Sequence, residues 1–284
     1  MDSIQIPYYA HPEELPSELP TKNAIKSSKE VLCEQSARKV VGLGSCFVAK
    51  YGLQVDLEEG WNMIFIKNTT SILVPTVYAL FKDSETNENY IIMERIQGNR
   101  LDLIWISLDD AQKRVIASQI KANFTELRKL CSPNGYCSLG GKPLRDHIFY
   151  TGFEGESLGL EGPFETEIEL NDTLIKKYLS SGCLPPGKAD YYRRSFPSVL
   201  TGQPPTFTHG DLQRKNIMVS PNDYSITIID WEFAGWYPSY WEYSRAVFAC
   251  GHFDDDWSKW VDYCLDVYRN EWAWMQMLML ELWS

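Results

Sequence analysis

The sequence lacks any paired-cysteine motif. Its seven cysteines, Cys33, Cys46, Cys131, Cys137, Cys183, Cys250 and Cys264, are odd in number and contain no C-x-x-C spacing, so neither a disulfide framework nor a zinc site is indicated. They read as reduced thiols, which suits a cytoplasmic protein. A long apolar run is also missing. The tail "WAWMQMLMLELW" is broken by Gln276 and Glu281 and falls short of the roughly 20 residues that a membrane span requires, so a buried or docking helix is expected there. The start, "MDSIQIPYYAHPEELPSELP", has no basic stretch ahead of an apolar block and does not read as a secretory signal. Basic residues are in the minority, 27 Lys+Arg against 38 Asp+Glu for a net charge of −11, which argues against nucleic acid or an anionic membrane as partner. The same balance favours a cationic ligand, or is simply a solubilising surface. Finally, no G-x-x-x-x-G-K-[ST] occurs, because "LGGKPL" has neither the spacing nor the hydroxyl; a P-loop is excluded.

What is present is a globular chain of 284 residues, 44% apolar and 13% aromatic, long enough for one large domain or two lobes. No internal repeat or low-complexity block appears. Residues 1–35, Pro-rich and polar at the start, read as an N-terminal arm or a short helix packed on a lobe. Residues 36–96 read as a small lobe. "RKVVGLGSCFVAKY" gives a hairpin, and Asp56 caps a helix whose apolar spacing falls at Trp61, Ile64 and Phe65. "VPTVYALF" and "NYIIMERI" then form a second strand pair around a polar turn. Beyond a connector near 94–100, residues 97–284 are expected to be mostly helical. Ser107 and the Asp109/Asp110 pair mark a helix start, "GYCSLGGKPL" a loop, and "GPFETEIELNDTLIKKYLSSG" a further helix. The fold class expected is therefore α+β and bilobal: a small antiparallel sheet with one main helix, then a larger helical lobe. A cleft between such lobes is a usual place for a ligand.

Chemistry concentrates in "FTHGDLQRKNIMVS", residues 207–220, which places His209, Asp211 and Asn216 at close intervals. A strand-like run, a turn "SPNDYS" and a second run "ITIID" follow. A hairpin centred near Asp223 would set Asn216 opposite Asp230, and directly opposed residues lie roughly 5 Å apart. Two oxygens at that separation can share a Mg²⁺ ion. One carboxylate to accept a hydroxyl proton, plus an amide and a second carboxylate for a metal, is the equipment of phosphoryl transfer. Singly, each residue also fits a turn, a core histidine or a strand cap.

"THGDLQRKNIMVS" together with "IIDWEFAGWYPSYWEYSRA" resembles the aminoglycoside phosphotransferase and choline kinase family, in particular its fungal small-molecule branch, with a protein-kinase-like fold. The resemblance extends over roughly residues 38–275 and is strongest at these two segments. It implies Asp211 as catalytic base, Asn216 and Asp230 as Mg²⁺ ligands, His209 as a scaffold for the loop, and ATP or GTP as donor. Trp231 and Glu232 stand where protein kinases carry Phe-Gly, which argues against a kinase-style flip of this segment. Glu232 could reach the metal through water, lie on the acceptor side, or form a salt bridge.

The same resemblance assigns Lys50, on the second strand of the hairpin, to the phosphates. Its expected ion-pair partner is Glu59, with Glu58 as substitute. Asp56 and Glu59 also spell a D-x-x-E capping box, and one carboxylate cannot easily serve both purposes. "GLGS" holds only two of the glycines of G-x-G-x-x-G, Phe47 standing at the third position; Gly42, Gly44 and Ser45 could still offer N–H groups to phosphate, or form an ordinary turn. Met93 would back the adenine, and the backbone of Glu94 and Ile96 would bond it. On the acceptor side, Asp254, Asp255 and Asp256 lie near Trp236, Tyr237, Tyr240, Trp241 and Trp257, a mixture suited to an amine-bearing alcohol or to a helix start. The reading is thus a Mg²⁺-dependent transfer of the γ-phosphoryl group to a small-molecule hydroxyl. A non-catalytic nucleotide binder, or a biosynthetic enzyme with phosphorylation-driven or diverged chemistry, would share these residues.

Overall fold

The computed structural model describes residues 5–35, 37–149, 159–180 and 185–282; Cys183 lies outside them. Six antiparallel strands make the main sheet: β1 (Tyr8–Tyr9), β2 (Val31–Gln35), β3 (Arg38–Leu43), β4 (Phe47–Gly52), β5 (Val77–Lys82) and β6 (Asn89–Glu94). Their spatial order is β1, β5, β6, β4, β3, β2. Period-two alternation sorts the side chains onto two faces. Val41, Ala49, Tyr90 and Ile92 are buried on one, where Ile25 of the short helix α1 (Lys22–Ser27) joins them. Tyr51, Tyr90 and Phe81 stack there at centroid separations of 5.5 and 4.9 Å. Each buried Val, Ile or Phe side chain among them contributes about 1.5–3 kcal/mol. Lys50 and its cross-strand partner Ile91 point to the other face, against which α2 (Leu57–Thr69) packs.

Residues 1–35, expected as an arm, instead supply both edge strands of this sheet. β1 has only two residues and β2 is exposed along its whole length, so neither carries the apolar alternation that reveals a strand. The boundary expected at residue 96 also differs from the compact units, which are Met1–Leu108 with Arg214–Glu232, and Asp109–Gln213 with Phe233–Ser284. The reason is a small second sheet in the first unit. The strand Asn99–Arg100 pairs with Ile217–Val219, which pairs in turn with Ile226–Ile228.

The register of that last pair is Val219 to Ile226, Met218 to Thr227 and Ile217 to Ile228. Continued one step, it sets Asn216 opposite Ile229, whose N–H donates to the Asn216 carbonyl at 3.0 Å. Asn216 is therefore not the cross-strand partner of Asp230, as a hairpin symmetric about Asp223 would require. The turn holds an even number of residues between Ser220 and Ser225, which bond at 2.9 Å, and Tyr224 takes a left-handed φ of +58° to close it.

In the second unit, Asp109 caps the helix Asp110–Leu127 in a full capping box with Gln112. Helices Glu167–Ser180, Pro186–Val199, Trp241–Phe248 and Arg269–Leu282 pack around Phe149, Leu174, Tyr178, Tyr192, Trp241 and Met275. The strand Pro205–Thr208, which leads into the His-Gly-Asp segment, pairs with Gly235–Pro238. The apolar tail, as far as residue 282, falls in the last helix, with Met275, Leu278 and Met279 buried. Among the described residues no helix is long and apolar enough to cross a membrane.

Gly98 lets the chain enter the small sheet. Its φ is +152°, and a Cβ there would lie 2.4 Å from the Val219 carbonyl oxygen. Gly98→Ala is expected to cost about 1–3 kcal/mol, read as a lower denaturation midpoint, whereas the same change at Gly187, where a Cβ meets nothing within 4 Å, should stay within about 1 kcal/mol.

Candidate functional site

In the first unit, Lys50 is the centre of a buried charge cluster. Its ammonium lies 2.6 Å from Glu59 Oε2, 2.9 Å from Asp230 Oδ1 and 3.4 Å from Glu232 Oε2. The Lys50 and Glu59 side chains are only 6% and 2% exposed. Of the two roles open to Glu59, the geometry contains the ion pair, while the Asp56 carboxylate caps α2 through the Glu58 N–H at 3.0 Å. Burial alone would lower the Lys50 pKa, but the three carboxylates outweigh it and hold the ammonium above the ordinary lysine value. Glu59 is pushed up to about 7 by burial, opposed by Lys50 and reinforced by Asp230 and Glu232.

The segment Asp230-Trp231-Glu232 is held by its middle residue. Trp231 is fully buried; its indole N–H donates to the Ile228 carbonyl at 2.9 Å, and its own carbonyl accepts from the Asn62 amide at 2.8 Å. With Trp231 inserted, the residues on either side carry their carboxylates to Lys50. Asp230 adopts φ +66°, a left-handed conformation that Asp tolerates better than most residues. Glu232 is further engaged by Arg38, whose Nη1 donates to both carboxylate oxygens at 3.0 and 2.7 Å. Of the alternatives open for Glu232, the geometry contains an ion pair. Asn216 is buried at the end of the turn Arg214–Asn216.

The remaining expected nucleotide residues lie in the β3–β4 turn and at the end of β6. Ser45 is exposed in the β3–β4 turn, where its carbonyl accepts from the Gln97 amide at 2.9 Å. Gly44 accepts through its carbonyl from Arg95 at 2.8 Å, and Arg95 also pairs with Glu30. Met93 stands between Val48 and Val77. The Glu94 N–H donates to the Thr76 carbonyl at 2.8 Å, and the Glu94 carboxylate accepts from the Thr76 N–H at 3.1 Å. Glu94 N–H is thus committed to the strand. Ile96 lies just past β6, half-buried.

In the second unit, the His-Gly-Asp loop is built on a buried carboxylate. Glu242 Oε2 accepts from the His209 N–H at 2.6 Å and the Gly210 N–H at 3.2 Å. Burial pushes Glu242 up, opposed by His209 and these two N–H groups. His209 is fully buried, and its Nδ1 accepts from the Asp211 N–H at 3.2 Å. Arg245, one turn after Glu242, donates to the Gly210 carbonyl at 3.4 Å and pairs with buried Asp146 at 3.2 Å. Asp146 is fixed in turn by the Trp241 indole at 2.9 Å. The Gln213 amide donates to Asp211 Oδ1. The aromatic residues from Tyr237 to Tyr243 are buried in the core. The carboxylate among them was missed, although an acid inside a run of buried aromatics is itself a signal of a buried hydrogen-bonded role.

The acidic stretch is used locally. Asp255 Oδ1 accepts from the Trp257 N–H at 2.9 Å, and Asp256 pairs with Lys113 at 2.9 Å and accepts from the Trp260 indole at 3.0 Å. Asp254 is exposed beside them. Two of the three thus serve the start of the helix Trp257–Cys264.

Oxygen donors suited to Mg²⁺ are gathered in the first unit. One oxygen each of Glu59, Asp230 and Glu232 lies within 4.8 Å of the others. The Lys50 ammonium sits among them, so an ion would share this group with a cation already in place.

The sequence matches the family model described as "Phosphotransferase enzyme family" over residues 67–278. No curated protein matches it. Among solved structures, it is similar to the GDP complex of wild-type aminoglycoside 2'-phosphotransferase-IIIa, with 17% identity, TM-score 0.57, and 89% of this chain and 83% of that one covered. A thermostable mutant of aminoglycoside phosphotransferase APH(4)-Ia, in a ternary complex with ADP and hygromycin B, is similar at 13% identity and TM-score 0.55, with 92% and 81% covered. The streptomycin–ATP ternary complex of APH(2")-IIa is similar at 15% identity and TM-score 0.52, with 78% and 71% covered. The fold is therefore the bilobal, protein-kinase-like α+β fold of these enzymes.

Glu242→Leu, which leaves the His209 and Gly210 N–H groups buried without an acceptor, should destabilise the protein by about 2–5 kcal/mol, whereas Glu242→Gln keeps one acceptor oxygen and should lose less than half of that. Chemical denaturation of the two variants distinguishes the outcomes; equal losses would contradict the role given to the carboxylate.

Proposed function

The chain belongs to the phosphotransferase enzyme family, and we propose that it transfers the γ-phosphoryl group of ATP or GTP to a hydroxyl of a small molecule, with Mg²⁺. The observation that carries this reading is the desolvated Lys50 ammonium amid Glu59, Asp230 and Glu232. Such an ammonium suits the phosphates of a nucleotide. Glu59 orients it, and Asp230 with Asn216 would hold the ion. Held there, Mg²⁺ would supply charge neutralisation for the transferring phosphoryl group. Ser45, Met93, Glu94 and Ile96 line the path of the nucleotide, the Glu94 carbonyl and the Ile96 N–H being the groups offered to the base.

Asp211 acts on the acceptor. As the acceptor oxygen bonds to the γ-phosphorus, its proton passes to the Asp211 carboxylate, and the bond from that phosphorus to the bridging oxygen breaks toward the nucleoside diphosphate. Gln213, donating to Asp211, fixes the carboxylate that must take the proton. The acceptor is a hydroxyl compound, and the net charge of −11 suits one that also carries amines; Asp254 is the member of the acidic stretch left for such a role. The similarity to enzymes captured with streptomycin and hygromycin B supports a multi-hydroxyl acceptor.

Purified protein with Mg²⁺ and either nucleotide, offered a panel of alcohols with and without amines, should phosphorylate at least one of them. Asp211→Asn should lower kcat by about 10²–10⁴-fold while leaving the thermal stabilisation by nucleotide intact. Stabilisation by nucleotide with no transfer to any acceptor would instead identify a non-catalytic nucleotide binder.

A further inference from the structure

The charge cluster contains one cation that the phosphotransfer chemistry leaves without a task. Arg38 opens β3, and its guanidinium is held on two sides. Nε donates to Gln35 Oε1 at 2.7 Å, and Nη1 donates to Glu232 Oε1 and Oε2 at 3.0 and 2.7 Å. Glu232 Oε2 in turn lies 3.4 Å from the Lys50 ammonium. The Glu232 side chain is 11% exposed and that of Arg38 26%, so the contact is partly withdrawn from solvent and less screened than a surface pair.

We infer that Arg38 is a positioning residue that acts through Glu232: it neutralises this carboxylate and thereby sets both the availability of Lys50 to nucleotide phosphate and the affinity of the cluster for a divalent cation. The inference rests on the function proposed above. Lys50 and Arg38 face Glu59, Asp230 and Glu232, formally two positive charges against three negative when Glu59 is ionised, for a balance of −1. A divalent ion turns that balance positive, which favours a polyanionic nucleotide. Without Arg38 the balance is −2, and among the described residues Glu232 keeps its ion pair with Lys50. Two effects of opposite sign follow. Lys50 is held more tightly by carboxylate and less by phosphate, so nucleotide binding weakens. The carboxylates, less compensated, attract a bare divalent cation more strongly. A guanidinium serving only to fasten β3 to the 230–232 segment would weaken both together or neither.

The test is calorimetric and needs no turnover: Mn²⁺ binding without nucleotide, and nucleotide binding at fixed Mg²⁺, for the unaltered protein, Arg38→Met, Glu232→Gln and the double variant. Arg38→Met should tighten Mn²⁺ and weaken nucleotide, each on the order of tenfold. Glu232→Gln should weaken Mn²⁺, so the inference stays open to contradiction even if Arg38→Met folds poorly. The double variant, whose balance is again −1, should return both affinities to within a few-fold of the unaltered protein. Affinities unchanged in Arg38→Met, Mn²⁺ binding not weakened in Glu232→Gln, or a double variant worse than either single one, would overturn the inference and leave the proposed function standing. Absence of nucleotide binding by the unaltered protein would overturn both.

Discussion

A buried lysine ammonium, paired with a buried carboxylate and with two partly buried ones, is the interaction around which the first unit is arranged. Burying one charge without a partner is prohibitive, and removing one member of a buried pair commonly costs about 3–5 kcal/mol. Lys50 on β4 therefore requires Glu59 one turn into α2, which constrains how helix and sheet pack. It likewise requires Asp230 and Glu232, which constrains the end of the second, smaller sheet. The cluster is not an economical way to stabilise a protein, since an apolar core of the same volume would do as well or better. Its value lies in readiness: an ammonium already stripped of water can exchange a carboxylate for a phosphate oxygen at little reorganisation cost.

The reactive groups of both units are placed by buried anchors behind them. In the first unit, Trp231 is sealed in the core and hydrogen-bonded at both its indole and its carbonyl. That fixes the two flanking carboxylates without using them, and is a physical reason against a flipped alternative of this segment. In the second unit, Glu242 grips the backbone of His209 and Gly210, and Arg245 grips the Gly210 carbonyl from the same helix. Gly210 is required there: its φ is +83°, and a Cβ would lie 2.9 Å from Phe233 Cβ. Asp211 is thus presented by a loop in which the N–H groups of His209, Gly210 and Asp211 and the Gly210 carbonyl are already hydrogen-bonded.

Much of this was legible in the sequence where the interacting residues are close along the chain. His209, Asp211 and Asn216 fall within one short stretch, and the Lys50–Glu59 pair spans one strand end and one helix start. The hairpin register was not recoverable, because it depends on whether the loop holds an odd or even number of residues, and that turns on the left-handed φ of Tyr224. Nor was Arg38 visible as a partner of Glu232: they stand 194 residues apart, and an arginine at a strand start looks like a solvated one. Glu242 was hidden by its aromatic neighbours, which signal core packing. The acidic run at 254–256 misleads in the opposite direction, since the composition that suits an ammonium ligand also suits a helix start. Local chemistry reads well from sequence; long-range charge pairing does not, because any carboxylate can serve any cation until the fold selects one.

The central claim is that the Lys50 ammonium is the phosphate-binding group. It is tested most directly by calorimetric titration of MgATP and MgGTP into the double variant Lys50→Met/Glu59→Gln, in which the most buried pair is removed as a unit and Arg38 remains against Asp230 and Glu232, so that the formal charge balance of the cluster is unchanged. The account predicts a folded variant whose affinity for the nucleotide bound by the unaltered protein is at least about tenfold weaker, a loss of about 1.4 kcal/mol or more. A folded variant that binds that nucleotide as tightly as the unaltered protein would contradict it.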